Sequence, residues 1–251
     1  MPNLSAIPND SLLGKLLRAP LRLIPSSAVV PILQGPLRGK KWIVGSGNHG
    51  CWLGSYEHDK QEAFRNAVRK GDVVYDVGAN VGFYTLLASV LAGQSGFVYA
   101  FEPLPRNLVD LRRHLELNQV KNCEVIEAAV SLAEGQARFD PSEDRHTSHL
   151  SSEGTIQVRT VGLDELVCCK GIRPPNLIKM DIEGGELLCL RGCKSTIQTF
   201  RPIIFLATHG SEIHDACVQF LAGLNYTIKP MGKTAVECAD ELIAQPEKAT
   251  E

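Results

Sequence analysis

From Gly71 onward, short β-branched or aromatic runs alternate with stretches whose apolar residues recur at helical spacing. Such a chain builds parallel strands joined by helical crossovers, because each helix must bury its apolar stripe against the sheet it follows. The strands read as Val73–Val77, Phe97–Phe101, Cys123–Ile126, Leu177–Met180, Ile203–Leu206 and Tyr226–Lys229, with a last one near Ala235–Cys238. Several are apolar on both faces, as a sheet covered on both sides requires. Phe83, Leu86, Leu87, Val90 and Leu91 form one helical stripe, and Leu108, Leu111 and Leu115 mark a second. Ile213, Ala216, Cys217, Phe220 and Leu221 form a third, with Ser211 as cap and Gly223 as terminator. The polar stretch Asp140 to Gly154 reads as a loop or the tip of an inserted hairpin. The expected fold is α/β, a doubly wound Rossmann-like sheet.

A length of 251 residues suits one domain with an arm. We divide it into an arm and glycine-rich hairpin over residues 1–70, the main domain over 71–238 and a tail over 239–251. Six of the 14 prolines lie in residues 1–36, which favours an extended arm. Residues 1–41 carry Lys15, Arg18, Arg22, Arg38, Lys40 and Lys41 against Asp10, so a chain of net charge -2 divides into +5 and -7. A net charge of -2 argues against a surface devoted to nucleic acid, and no nucleic-acid partner is expected. Leu12 to Arg18 is basic and amphipathic; packing on the main domain is its expected role, with weak contact to an anionic membrane surface as the alternative. Lys15, Arg18 and Pro20 interrupt the apolar run from Leu12 to Ile24, unlike the core of a signal peptide. The eight cysteines include no C-x-x-C pair and read mostly as buried small hydrophobes in a reducing, cytoplasmic compartment; Cys189 and Cys193, four apart on a helix, read as packing residues.

Residues 45–50, Gly-Ser-Gly-Asn-His-Gly, satisfy the dinucleotide pattern G-x-G-x-x-G but lack its context. That fingerprint needs a helix directly after the glycines and an acid about 20 residues on. Cys51-Trp52-Leu53-Gly54 reads instead as a strand or turn, so the segment 41–56 is expected to be a hairpin. Trp42, Trp52 and Tyr56 are then candidates to line a pocket, with His49 as a rim or structural residue.

Ligands of open parallel sheets bind beyond the carboxyl ends of the strands. The first strand ends in Asp76-Val77-Gly78-Ala79-Asn80-Val81-Gly82, where two glycines permit a tight turn and close backbone approach. The second ends in Glu102-Pro103, 24 residues beyond Gly78, where an acid can accept both vicinal hydroxyls of a ribose. Together they imply an adenosine-type cofactor. The fourth strand is followed by Asp181-Ile182-Glu183-Gly184-Gly185-Glu186, and the fifth by Thr208-His209. Asp181, Glu183 and His209 can converge on a substrate hydroxyl with one of them as general base.

Asp-Val-Gly-Ala-Asn-Val-Gly-Phe-Tyr-Thr at 76–85, Phe-Glu-Pro at 101–103, Ile-Lys-Met-Asp-Ile-Glu-Gly-Gly-Glu at 178–186 and Arg-Pro-Ile-Ile-Phe at 201–205 resemble the FkbM-type S-adenosylmethionine-dependent methyltransferases. The resemblance implies the class I methyltransferase fold, with a seven-stranded sheet whose last strand is antiparallel. It implies that Asp76, Gly78, Asn80 and Gly82 surround the methionine part of S-adenosyl-L-methionine, that Glu102 holds the ribose, and that Glu127, Ala128 or a nearby backbone group borders the adenine. The implied activity is methyl transfer, with a hydroxyl on a sugar or small metabolite, free or in a glycan, as acceptor. No metal is assigned, because only Asp181 suggests itself as a ligand. The chain departs from the family's Glu-x-His after the fifth strand by carrying Ala207, so no role rests on a carboxylate there. Two alternatives stand beside this expectation: a nicotinamide-dependent oxidoreductase, disfavoured by the absence of G-x-G-x-x-G in 76–82, and a cofactor-binding module that performs no transfer.

Overall fold

The computed structural model describes residues 21, 23–140, 149–150, 154–232 and 235–247. The amphipathic stretch 12–18 therefore lies outside the described residues. Strands β1 (Val29–Pro31) and β2 (Lys41–Ile43) form a small antiparallel pair, followed by a 3₁₀ turn, α1 (His49–Leu53) and α2 (His58–Ala67). The alternating part runs β3 (Val73–Val77), α3 (Phe83–Ala92), β4 (Phe97–Phe101), α4 (Pro105–Leu117) and β5 (Cys123–Ile126). An insertion follows, comprising β6 (Ala129–Val130), β7 (Gly135–Asp140), β8 (His149–Leu150) and β9 (Ile156–Val161). The chain then returns through α5 (Leu163–Cys169), β10 (Leu177–Met180), α6 (Glu186–Gly192), α7 (Lys194–Phe200), β11 (Ile203–Ala207), α8 (Ser211–Ala222), β12 (Tyr226–Pro230) and β13 (Glu241–Pro246).

The main sheet has seven strands in the order β12-β13-β11-β10-β3-β4-β5. β11, β10, β3, β4 and β5 are mutually parallel, and β13 runs antiparallel between β11 and β12. This is the class I methyltransferase arrangement. All five side chains of β3 and all four of β10 are buried, which explains why those strands are apolar apart from Asp76 and Lys179, whose charges lie 3.3 Å apart. Helices α3 and α4 follow the expected stripes, with Leu86, Leu87 and Leu111 fully buried.

Three expectations are corrected. The last strand is not Ala235–Cys238, which forms a 3₁₀ turn over Val236–Cys238, but Glu241–Pro246, placed in the tail by the sequence reading. Only alternate side chains of that strand, Leu242 and Ala244, are fully buried, so its polar partners disguise it. The 41–56 segment is not a hairpin, because β2 pairs backward with β1 and a five-residue helix follows Asn48. Gly210, not Ser211, occupies the N-cap of α8, and Gly223 ends it with right-handed backbone.

The polar stretch after β7 does form a hairpin end, since Phe139 and Asp140 pair with Leu150 and His149; residues 141–148 lie outside the described residues. Cys51, Cys189, Cys193 and Cys217 are buried, whereas Cys168, Cys169 and Cys238 are exposed. No helix among the described residues is long and apolar enough to cross a membrane.

Candidate active site

A cavity of about 370 Å³ opens at the carboxyl ends of β3, β4, β10 and β11. That volume suits a nucleoside-sized ligand. Its floor is the turn after β3. Gly78 has φ +78°, and a Cβ there would sit 2.0 Å from the Asp181 carbonyl oxygen, so only glycine lets the two strand-end loops meet. Lys179 Nζ donates to the Gly78 carbonyl at 3.0 Å and lies 3.3 Å from Asp76 Oδ1, while Thr85 Oγ1 donates to Asp76 Oδ2 at 2.6 Å. Asp76 therefore braces the turn from beneath and does not line the cavity. Gly82, also outside the lining, has φ +92° and seats the start of α3 against Leu111.

Asn80 and Glu102 face each other across the turn. Glu102 Oε2 accepts the Asn80 N–H at 2.8 Å, and Oε1 accepts the Leu104 N–H at 2.9 Å and Asn107 Nδ2 at 3.1 Å. Burial raises the Glu102 pKa, with the bonds from Leu104, Asn107 and Asn80 and the charge of Lys179 opposing. A carboxylate oxygen has two lone-pair sites, so Oε2 retains an acceptor site for a ligand hydroxyl. A buried acid with acceptor capacity beside a glycine turn fits an adenosine-type cofactor. Ala128, after β5, and Ala129 and Val130 of β6 join the lining, and Phe139 reaches in from β7. Glu127 does not: its side chain is exposed and paired with Arg112, because β5 ends before it and turns it outward.

The opposite wall joins the three predicted acceptor-side residues. His209 Nε2 lies 3.4 Å from Glu183 Oε2 and 3.9 Å from Asp181 Oδ1. Glu183 reaches this place with φ +49°, a backbone conformation that a non-glycine residue holds only when its surroundings enforce it. Two buried lysines neutralise Asp181: Lys60 Nζ is 3.5 Å and Lys179 Nζ 3.8 Å from its Oδ2. Burial pushes the Asp181 carboxyl up, but Lys179, Lys60 and His209 outweigh it and bring its pKa down to about 2. His209 is shifted the other way: its bond to Glu186 raises the imidazole pKa, burial opposes, and Glu183 and Asp181 add to the rise.

Asp181, Glu183 and His209 each offer a donor atom within 4.8 Å of the others, a spacing that a divalent cation can span. The two ammonium groups beside Asp181 oppose a further positive charge there.

Several functional candidates escaped sequence reading. Lys60 on α2 also contacts Glu57 Oε2 at 3.4 Å and Glu241 Oε1 at 2.5 Å. Tyr84 donates to Glu57 Oε2 at 2.9 Å, with Lys60 and Lys179 over its ring at 5.4 and 5.5 Å from the centroid. Lys179 carried a signal, since a lysine inside the run Leu-Ile-Lys-Met is anomalous for a buried strand. Lys60 carried none. Glu241 is the register partner of Ala207, so a carboxylate stands beside that position after all, on the neighbouring strand. Of the segment 41–56, Gly47, Asn48, Cys51 and Tyr56 line the cavity. Trp42 instead stacks on His114 at 3.7 Å in the core, and Trp52 donates to His49 Nδ1 at 3.2 Å.

A glycine turn and ribose-type acid at one end of a parallel sheet, under an antiparallel last strand, define a class I methyltransferase architecture. The FkbM methyltransferase domain matches residues 76–228, and the chain belongs to that family. It is 29% identical over 150 residues to the hexuronic acid methyltransferase AglP of Haloferax volcanii, covering 59% of this chain and 61% of that one. It is 27% identical over 204 residues to the 31-O-demethyl-FK506 methyltransferase FkbM of Streptomyces tacrolimicus, covering 64% of this chain and 75% of that one. The crystal structure of the methyltransferase FkbM from Methylobacillus flagellatus KT shares the fold at a TM-score of 0.52 and 17% identity, over 79% of this chain and 55% of that one. The chain thus spans about three-fifths of the haloarchaeal relative's length. Family membership decides against the nicotinamide-dependent alternative.

Proposed function

We propose that this protein methylates a hydroxyl oxygen of a sugar or small metabolite, free or within a glycan, using S-adenosylmethionine. The observation that carries the reading is one cavity holding, at opposite ends, a buried carboxylate with an acceptor site to spare and an imidazole flanked by two carboxylates. When bound, the cofactor supplies an electrophilic methyl group whose transfer leaves its sulfur as a neutral thioether. Glu102 would hold the ribose hydroxyls, the 78–80 turn the amino-acid portion, and Ala128 and Ala129 the adenine edge.

The protein's remaining tasks are alignment, exclusion of water and removal of the acceptor proton. His209 is the better base, because an imidazole with a raised pKa takes a proton more readily than Asp181, whose carboxyl is held at about 2. Asp181 keeps its charge and, with Glu183, orients the acceptor. The acceptor proton passes to His209 Nε2 as its oxygen takes the methyl group. The hexuronic acid named for the haloarchaeal relative makes sugars the first acceptors to try.

The test is calorimetry with S-adenosylmethionine, followed by transfer of radiolabelled methyl into fractionated cell extract. Binding and label in a carbohydrate or small-metabolite fraction are expected. No binding at millimolar cofactor overturns the cofactor reading, label in protein or nucleic acid overturns the acceptor class, and binding without label favours a module that performs no transfer.

A further inference from the structure

Glu186 has no part in that reading, yet it makes the shortest contact to the proposed base. It is the first residue of α6, its side chain is fully buried, and its Oε1 lies 2.7 Å from His209 Nδ1. The Gly184 N–H donates to the same oxygen at 3.0 Å. An ionised carboxylate only accepts, as Oε1 does from Gly184, so the hydrogen between it and the imidazole belongs to Nδ1. With Nδ1 protonated, neutral His209 holds its lone pair on Nε2, the nitrogen on the side of Asp181 and Glu183.

We propose that Glu186 is a positioning residue for methyl transfer: by accepting the Nδ1–H it fixes the rotation and tautomer of His209, so that Nε2 is the nitrogen presented to the acceptor. This rests on His209 being the base. A buried carboxylate is costly unless it is paired, and Glu186 Oε2 has no hydrogen-bond partner among the described residues. The imidazole is therefore its principal charge partner. The other charged groups facing this space are Asp181 and Glu183 after β10, Glu57 and Lys60 on α2, Lys179 within β10, and Asp240 and Glu241 at the start of β13. All but the two lysines are acidic, so the surrounding charge favours the protonated imidazole, and the neutral, basic form grows in as pH rises.

Two substitutions separate the hydrogen bond from the charge. Glu186→Leu removes both, whereas Glu186→Gln keeps a carbonyl acceptor and removes the charge. The measurement is nitrogen NMR of ¹⁵N-histidine-labelled protein, with the His209 signals assigned by His209→Asn. In the unsubstituted protein, neutral His209 is expected as the Nδ1–H tautomer and to titrate above the ordinary 6.5. Glu186→Gln should keep the tautomer but lower the titration by about one pH unit; Glu186→Leu should lose the tautomer preference as well.

The second readout is the pH dependence of labelled-methyl transfer into the extract fraction that the unsubstituted protein methylates. Its acid limb should move down with the His209 titration in Glu186→Gln, and kcat should fall about tenfold in Glu186→Leu with cofactor KM unchanged. If Glu186→Leu does not fold, the titration and acid limb of Glu186→Gln decide. Unchanged His209 signals would overturn the contact itself. Altered signals with an unaltered pH–rate profile would show that His209 is not the base, which overturns both the base assignment and the positioning role while leaving cofactor binding intact.

Discussion

Replacing Glu102 by glutamine changes one carboxylate oxygen into an amide nitrogen with almost no change in volume. The native carboxylate accepts two donors on Oε1, from Leu104 N and Asn107 Nδ2, and one on Oε2, from Asn80 N. A glutamine can place its carbonyl at only one of these positions. With the carbonyl at Oε1 it keeps two bonds and turns an NH₂ group toward the Asn80 N–H; the other orientation loses two bonds. Glu102 is only 4% exposed, so water makes up little of the deficit. One hydrogen bond to a charged group contributes about 1.5–3 kcal/mol, and the position lost first, Oε2, is the one available to a ribose hydroxyl. S-adenosylmethionine should therefore bind roughly 10- to 100-fold more weakly to Glu102→Gln in calorimetry. Glu127→Ala, an exposed site outside the cavity, should leave the affinity unchanged. A folded Glu102→Gln protein with unaltered affinity, or an equal loss in Glu127→Ala, would refute the ribose assignment.

Gly78→Ala should cost about 1–2 kcal/mol from left-handed backbone strain alone, and more because its Cβ would overlap the Asp181 carbonyl oxygen. Both loops must shift to relieve the overlap, so chemical denaturation should show lowered stability and calorimetry weakened cofactor binding. Asp181, held at about 2 against an ordinary 3.8, stabilises the fold above the unfolded value and loses that contribution as pH falls through the folded one. The gap corresponds to roughly 2 kcal/mol, so the stability deficit of Asp181→Asn in urea titrations should be full at neutral pH and shrink as pH drops below 3.8 toward 2. A deficit independent of pH would remove the ion-pair explanation.

The glycine turn and the buried acid beside it were largely legible because their residues are nearly consecutive: a turn from Asp76 to Gly82 and an acid at the end of the next strand are local patterns with local consequences. Even there, geometry redistributed roles. Asp76 and Gly82 build the turn without lining the cavity, and Glu127 faces outward because β5 stops one residue before it. Strand β13 was missed because only two of its six side chains are fully buried, a pattern that an acidic tail also shows. The first helix after Asn48 was missed because a five-residue helix has no periodicity to detect.

By itself the sequence determined the alternating α/β order, the strands β3, β4, β5 and β10 to the residue, and the glycine turn after β3, since these follow from hydrophobic period and backbone freedom within a few neighbouring residues. On the other side the strand ends marked Asp181, Glu183 and His209, but the partners that set their charge were decided by tertiary structure alone. Lys60 meets Asp181 across 121 positions of chain and Glu241 across 181, and His209 meets Glu186 across 23. Those contacts set charge and tautomer in the cavity. No local pattern encodes them, because the energy of burying a lysine or a carboxylate depends on which partner the fold brings alongside it.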